Sequence, residues 1–182
     1  MKNNVSMKGY DIACIDNITR ELSLRLGYKK ILSKTEIVVV EKPLFNSKIR
    51  YILLSEDDNL IRKALRDKMC AGISFKENSV IKKSLEQLHE AEKPLFINGT
   101  ILISAKKSEL PRILHKTRNL LKNAIIHKTI VVIASFAKDN AHLLSSSQLN
   151  ELALFIYDDE KIAKKMVLSL SDILLKSEKS DN

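Results

Sequence analysis

Four histidines, two cysteines and two short acidic runs are the residues of this 182-residue chain best suited to catalysis or metal binding. His89, His115, His127 and His142 are scattered. None forms an H-x-H or H-E-x-x-H pattern, and Cys14 and Cys70 form no C-x-x-C, so a tetrahedral metal centre is not expected. His115 and His127 fall at polar positions of a helical stretch and read as surface residues. The two cysteines lie far apart and read as reduced, buried, intracellular thiols rather than a disulfide framework. Asp57-Asp58 and Asp158-Asp159-Glu160 stand where helix amino termini need negative charge, so capping accounts for them. With four glycines in all, the chain has no Walker sequence, no G-x-S-x-G elbow and no G-x-G-x-x-G loop. An enzyme acting alone needs an acid, a base and a nucleophile in one constellation. None is legible, so no catalytic residue and no metal ligand is assigned.

The basic residues are better organised. There are 31 Lys and Arg against 22 Asp and Glu, a net charge of +9, and the pI is about 9.5. That surplus asks for an anionic partner. Between Ser108 and His127, the residues Leu110, Ile113, Leu114, Leu121 and Ala124 form an apolar stripe of helical period. Arg112, His115, Lys116, Asn119, Lys122 and Asn123 lie on the other side, with Arg118 at the margin; Glu109 is the one acid. Lys106 and Lys107 precede this stretch. Arg62, Lys63 and Arg66 repeat the pattern on an earlier helix, partly offset by Asp67, and Lys138 follows the most apolar strand. Arg62, Arg66, Lys106, Lys107, Arg112, Lys116, Arg118, Lys122 and Lys138 are therefore the candidate RNA-binding set, through contacts to a phosphate backbone. A merely solvated basic face is the competing reading. No aromatic residues interleave with these cations, which favours recognition of RNA shape or phosphate over base stacking.

The elements that would carry these residues alternate. Strands are expected at Tyr10–Ile15, Lys29–Ser33, Glu36–Val40, Ile49–Leu54, Ala71–Phe75, Pro94–Ile97 and Thr129–Ala134, with Thr100–Ser104 extending the sixth or forming a short one of its own. Helices are expected at Asn17–Leu26, capped by Asp16 or Asn17 and stopped by Gly27, and at Asn59–Lys68 and Asn78–Glu90. Others are expected from Ser108 to His127, from Ser145 through Ile156, and beyond an Asp158 cap. Alternation of apolar strands with helices implies parallel pairing under helical cover, in a barrel or a doubly wound sheet. Hydrophobic residues at 45% suffice for a core, and 5% aromatics without Trp make that core aliphatic. One α/β domain over 1–175 with a polar tail at 176–182 is expected. No apolar run is long enough to span a bilayer, and the first residues lack the apolar stretch of a secretory signal. The expectation is thus a cytoplasmic protein with no membrane partner.

From Ile49 onward the order of elements resembles a known family. Tyr51-Ile-Leu-Leu-Ser55, Asn59-Leu-Ile-Arg-Lys-Ala64 and Ala71-Gly-Ile-Ser74 look like its middle strands and the Arg-bearing helix between them. Thr129-Ile-Val-Val-Ile-Ala-Ser-Phe-Ala137 resembles its apolar strand ending in a Ser-Ser-Ala turn. Leu144-Ser-Ser-Ser-Gln-Leu149, with Glu151-Leu-Ala-Leu154, resembles the start of its next helix, and Ile162 to Leu175 its closing helix. The family is ribonuclease P protein component three, the archaeal relative of the thirty-kilodalton protein subunit of the eukaryotic enzyme. Arg62 and Arg112 match basic positions of its pattern. Leu144 stands where the family usually has Arg, Ser146 where it has Pro, and Phe136 where it has the second Ser of the turn.

The resemblance implies a TIM-like α/β barrel of about seven mostly parallel strands surrounded by helices. It also implies a noncatalytic subunit of the endoribonuclease that removes the 5′ leader from precursor tRNA. The implied partners are ribonuclease P RNA, precursor tRNA and other ribonuclease P proteins, especially a small one that pairs with this chain. No cofactor is implied for the protein; Mg2+ would sit at the catalytic site of the RNA. Phosphoesterases of the histidinol-phosphatase type share the fold but need a His-rich first strand, and Tyr10-Asp-Ile-Ala-Cys-Ile15 has no His. The alternative is a small α/β-barrel enzyme acting on a phosphorylated metabolite, with Lys106, Lys107, Lys138 and His142 around the phosphate. A scaffold that binds only protein is the third reading.

Overall fold

The computed structural model describes residues 10–76 and 82–178. Among the described residues there are seven strands: β1 (Tyr10–Ile12), β2 (Lys30–Leu32), β3 (Ile37–Val40), β4 (Arg50–Leu54), β5 (Cys70–Ser74), β6 (Leu95–Asn98) and β7 (Val131–Ala134). Every strand pairing is parallel. The strands β3-β4-β5-β6-β7 form a five-stranded sheet, and β1-β2 form a second ladder. The two are joined where β7 ends, by a parallel bridge between Ala13 and Ala137. The Phe136 N–H donates to the Ile12 carbonyl at 2.8 Å, and the Cys14 N–H donates to the Ala137 carbonyl at 2.7 Å. The order β2-β1-β7-β6-β5-β4-β3 is that of a TIM-like barrel left open between β2 and β3. A tight turn links those two strands, with the Ile37 N–H donating to the Ser33 carbonyl.

Alternation along the strands sends side chains to two faces. Ile12, Leu32, Ile37, Ile52, Phe96, Val132 and Ala134 point inward and form the barrel interior, joined by Phe136 and Leu170. Phe96 and Phe136 meet edge to face there, with ring centroids 6.0 Å apart. Ala13, Ile31, Tyr51, Leu53, Ile73, Leu95, Ile97, Val131 and Ile133 point outward into a larger cluster covered by helices. Burial on both faces is why the strands read as continuous apolar runs.

The helices are α1 (Arg20–Arg25), α2 (Asp58–Leu65), α3 (Lys82–Glu90), α4 (Gly99–Ile103), α5 (Leu110–Ile126), α6 (Ser146–Tyr157) and α7 (Glu160–Glu178). Their caps follow the sequence with four shifts. Thr19, not Asp16 or Asn17, caps α1, its hydroxyl accepting from the Leu22 N–H. Gly27 takes a left-handed φ of 84° just beyond α1, as a helix stop requires. Glu109, one residue past Ser108, is the cap position of α5, with Pro111 in its first turn. Asp158 ends α6 in a left-handed conformation, and it is the Asp159 carboxylate that accepts from the Ile162 N–H to start α7. The fourth is α4, where Thr100–Ser104 was expected as strand. The Asn98 side chain accepts from the Ile101 N–H, and both the N–H and hydroxyl of Thr100 donate to the Ser135 carbonyl, so the chain turns into a helix at the end of β6.

Asp57 caps α2 as expected, and Ser145 caps α6 through a capping box with Gln148. Val131–Ala134 is buried at every position, whereas Ile130, expected inside, is 38% exposed just before the strand. The expected start of the third helix at Asn78, with Val80 and Ile81, lies outside the described residues. So does 179–182, while α7 continues to Glu178.

One buried group fastens the seam between β1 and β7. Asp11 has no solvent exposure; its carboxylate accepts from the Ser135 N–H at 2.8 Å and from the Ser135 hydroxyl at 2.5 Å. The same hydroxyl lies 3.1 Å from the Ile12 carbonyl. Burial raises the Asp11 carboxyl from its ordinary 3.8 to about 6, against the opposing pull of the Ser135 hydrogen bonds. The folded chain therefore binds this proton more tightly than the unfolded chain. The resulting stability, on the order of 3 kcal/mol, is fully present below about pH 4 and is lost as pH rises through about 6.

Two outcomes follow for stability. Asp11→Asn retains an oxygen to accept the Ser135 N–H and gains an amide that can donate to the Ser135 oxygen. Its urea-unfolding free energy should gain on the native chain by roughly 2–3 kcal/mol between pH 4 and pH 7, while Asp11→Ala should cost about 3 kcal/mol. A native-minus-Asn difference that is flat with pH would show that Asp11 does not titrate as described. Gly72, at φ 156°, faces the register shift between β4 and β5, and a Cβ there would meet the Pro94 carbonyl at 2.5 Å and the Phe96 ring at 2.6 Å. Gly72→Ala should lower stability by about 2 kcal/mol or more in the same assay.

Candidate nucleic-acid interface

A row of basic side chains lies on α5. Thr117, Leu120, Leu121 and Ala124 are buried, and Ile113 and Leu114 pack partly against the core, so this helix shows solvent one face. Arg112, His115 and Lys122 are exposed on that face and Lys116 and Asn119 are half-buried. At 1.5 Å per residue, Arg112 and Lys122 stand about 15 Å apart along the axis. Side-chain hydrogen bonds stiffen the row: Asn119 Nδ2 and His115 Nε2 are 2.9 Å apart, and Asn123 Nδ2 donates to the Asn119 carbonyl at 2.8 Å. No acid is present in the first turn of the helix.

Arg118 is set apart from that row. Its Nε donates to the Ile156 carbonyl and its Nη2 to the Phe155 carbonyl, both at 2.9 Å, and its guanidinium lies 5.9 Å from the centre of the Phe155 ring. It closes carbonyls in the last turn of α6 that the helix itself leaves unpaired. Periodicity within α5 does not express that packing against α6.

The other candidates divide by position. Lys106 and Lys107 lie in the turn before α5, where the Lys106 carbonyl accepts from the Glu109 and Leu110 N–H groups. Lys138 follows β7. Since β6 and β7 are parallel neighbours, these three lysines are exposed at the carboxyl end of the barrel. Lys34 and Lys76 belong to the same end but pair with Asp16 and Glu41, at 3.8 and 2.9 Å. Arg62 pairs with Asp58 at 2.9 Å one turn earlier on α2, and Lys83 reaches the same carboxylate at 3.5 Å; these cations hold Asp58 below the usual carboxylate range against the upward pull of desolvation. Arg66 is exposed at the carboxyl end of α2, and α3 lies between α2 and α5. The structure thus gathers Arg112, Lys116 and Lys122 on one face and separates Arg62 and Arg66 from them.

Acid–base and ligand chemistry is sparse. Among the described residues no three His, Cys, Asp or Glu side chains cluster as a metal site would need. His142 closes a 3-10 turn (Asn140–His142): its Nδ1 lies 2.7 Å from the Asp139 carboxylate, which also accepts from the Ala141 and His142 N–H groups. The hydrogen bond from His142 leads the effects that lower the Asp139 pKa. Cys14 is half-buried and Cys70 buried, both unbridged, and desolvation pushes both thiols up, away from nucleophilic character. Asp11 and Ser135, a buried hydrogen-bonded pair at the seam between β1 and β7, do not stand out as a pair in the sequence. The available signal is a lone carboxylate within the apolar run Tyr10–Ile15. Among the described residues no helix is long and apolar enough to cross a membrane.

No family model and no curated protein matches the sequence. Among solved structures, the chain is similar to one in the cryo-EM structure of archaeal ribonuclease P with mature tRNA. The TM-score is 0.67 at 16% identity, covering 90% of this chain and 79% of that one. The similarity is one of fold. At nine-tenths of the chain, it reaches beyond the part from Ile49 onward.

The geometry separates Arg118 from its neighbours experimentally. Arg118→Ala should cost about 1–2 kcal/mol of stability by releasing the end of α6, and leave the salt dependence of RNA binding unchanged. Replacing Arg112, Lys116 and Lys122 with Ala should do the reverse, with a stability change of about 1 kcal/mol at most. Thermal melts and a salt series of RNA-binding isotherms distinguish the two.

Proposed function

We propose that this chain is a protein subunit of ribonuclease P, corresponding to component three, and that it supports a catalytic RNA in removing the 5′ leader of precursor tRNA. The observation that carries the reading is the fold shared over nine-tenths of the chain with a component of an archaeal ribonuclease P complex. The basic row on α5 and the net charge of +9 are in keeping with it, because a protein that holds a folded RNA works through phosphate contacts. In this reading the chemistry and its Mg2+ belong to the RNA. The polypeptide contributes cationic surface from Arg112, Lys116 and Lys122, with Lys106, Lys107 and Lys138 at the carboxyl end of the barrel. A small ribonuclease P protein pairs with it, and precursor tRNA reaches it only as the substrate of the whole particle.

Reconstitution tests this. Purified chain with Mg2+ or Mn2+ should cleave neither precursor tRNA nor simple phosphoesters. Added to ribonuclease P RNA and the remaining proteins, it should raise pre-tRNA cleavage. The Arg112/Lys116/Lys122 triple Ala variant should weaken that effect. It should also reduce the slope of log affinity against log salt by about one for each phosphate that the variant no longer touches. RNA-free turnover abolished by His142→Ala would favour the metabolite enzyme instead. Full activity and an unchanged slope in the folded triple variant would remove the α5 face from the RNA interface.

A further inference from the structure

A groove runs between α5 and α7 over the start of β7, and its chemistry differs from that of the basic row. It encloses about 350 Å3. Leu121 and Ile125 form one wall, Ile162 and Met166 the other, and Ile130 and Val131 the floor. Ile125 and Ile130 are 39% and 38% exposed, so two β-branched side chains of the groove stand open to water. The polar groups inside it are already satisfied: the Thr129 hydroxyl donates to the Leu85 carbonyl and the Ser169 hydroxyl to the Lys165 carbonyl. The groove therefore asks a ligand for apolar contact and not for hydrogen bonds.

The charges at its edge define the occupant further. Lys128 and Lys165 line the groove and no carboxylate does. Neither lysine has an acidic partner among the described residues, while nearby Glu86 faces His127 at 3.5 Å and Glu160 is paired with Lys164 at 2.5 Å. We infer that this groove docks an amphipathic helix of another protein, with Leu- or Ile-type side chains at i, i+3 or i+4 and i+7 entering between α5 and α7, and Asp or Glu flanking them to meet Lys128 and Lys165. A second copy of this chain is disfavoured, because two chains of +9 repel and neither brings the missing acid in surplus. Nucleic acid is disfavoured by an apolar wall that holds no aromatic ring for a base to stack on. The inference does not rest on the ribonuclease P reading, since a groove of this kind serves a protein partner whatever the complex does.

Photo-crosslinking in cells that produce the native protein tests it. A benzophenone amino acid replaces Ile125 in the full chain, and the crosslinked peptides are identified by mass spectrometry. The expected product joins position 125 to a different polypeptide, at a segment with helical apolar spacing and at least two flanking carboxylates. Lys128→Glu together with Lys165→Glu changes only exposed side chains and should cut the yield of that product at least tenfold, with circular dichroism confirming the fold. A benzophenone at Leu44, an exposed residue outside the groove, should not give it. Crosslinks to RNA, to a second copy, to a segment without carboxylates, or to no polymer would each overturn the inference. A yield insensitive to the charge reversal would overturn it too. Because the readout is the crosslinked segment and not tRNA cleavage, failure here and failure of the ribonuclease P reading are told apart.

Discussion

The hydrogen bonds between Asp11 and Ser135 fasten the seam at which the β1–β2 ladder meets the five-stranded sheet. β1 and β2 pair with each other, β3 through β7 pair among themselves, and the junction is short: one bridge, a few backbone hydrogen bonds and this carboxylate. A parallel barrel needs its first and last strands side by side, yet nothing local to either strand brings them together. The carboxylate does so by accepting two hydrogen bonds where water is excluded, so any slip of register would leave a buried charge unpaired. Ser135 passes the constraint on: its carbonyl receives both the N–H and the hydroxyl of Thr100, which fixes α4 at the end of β6. The start of β1, the end of β7 and the path toward α5 are thus set by one polar cluster.

That cluster also explains why the surface chemistry is arranged as it is. With α4 fixed at the carboxyl end of the barrel, α5 must run back along the outside, its stripe of leucines and alanine against the sheet and its cations outward. The interior is apolar, with Phe96, Phe136 and Leu170 packed among the aliphatic side chains of the strands. The same helix serves three purposes by face: Thr117 and Leu120 pack inward, Arg118 holds α6, and Arg112, Lys116 and Lys122 face outward.

Charge and apolar surface are segregated along α5. Its amino-terminal turns carry cations and no exposed large apolar side chain, whereas its carboxyl end exposes Ile125, which lines the α7 groove, and Ile126. A surface built only for polyanions would gain nothing from isoleucines exposed at that end. The function proposed above and the inferred docking thus draw on different stretches of the same helix.

The strands and most of the helices were legible in the sequence because their signals are local. β-branched runs buried on both faces read as strands, Asp57 and Ser145 lie within one turn of the N–H groups they cap, and Gly27 supplies its own left-handed turn. The basic row on α5 was legible for the same reason, since helical periodicity alone places Arg112, Lys116 and Lys122 together. What the tertiary structure decided depends on partners remote in the chain. Thr100-Ile-Leu-Ile103 has the composition of a strand and became a helix because the Ser135 carbonyl waits for Thr100. Arg118 looked like one more surface cation until α6 brought the Phe155 and Ile156 carbonyls to it. Asp11 shows in the sequence only as a lone carboxylate within an apolar run, and its partner, 124 residues away, cannot be read from it. The gap between β2 and β3 is a further case: both strands form, but the four residues between them are too few for the crossover that parallel neighbours need.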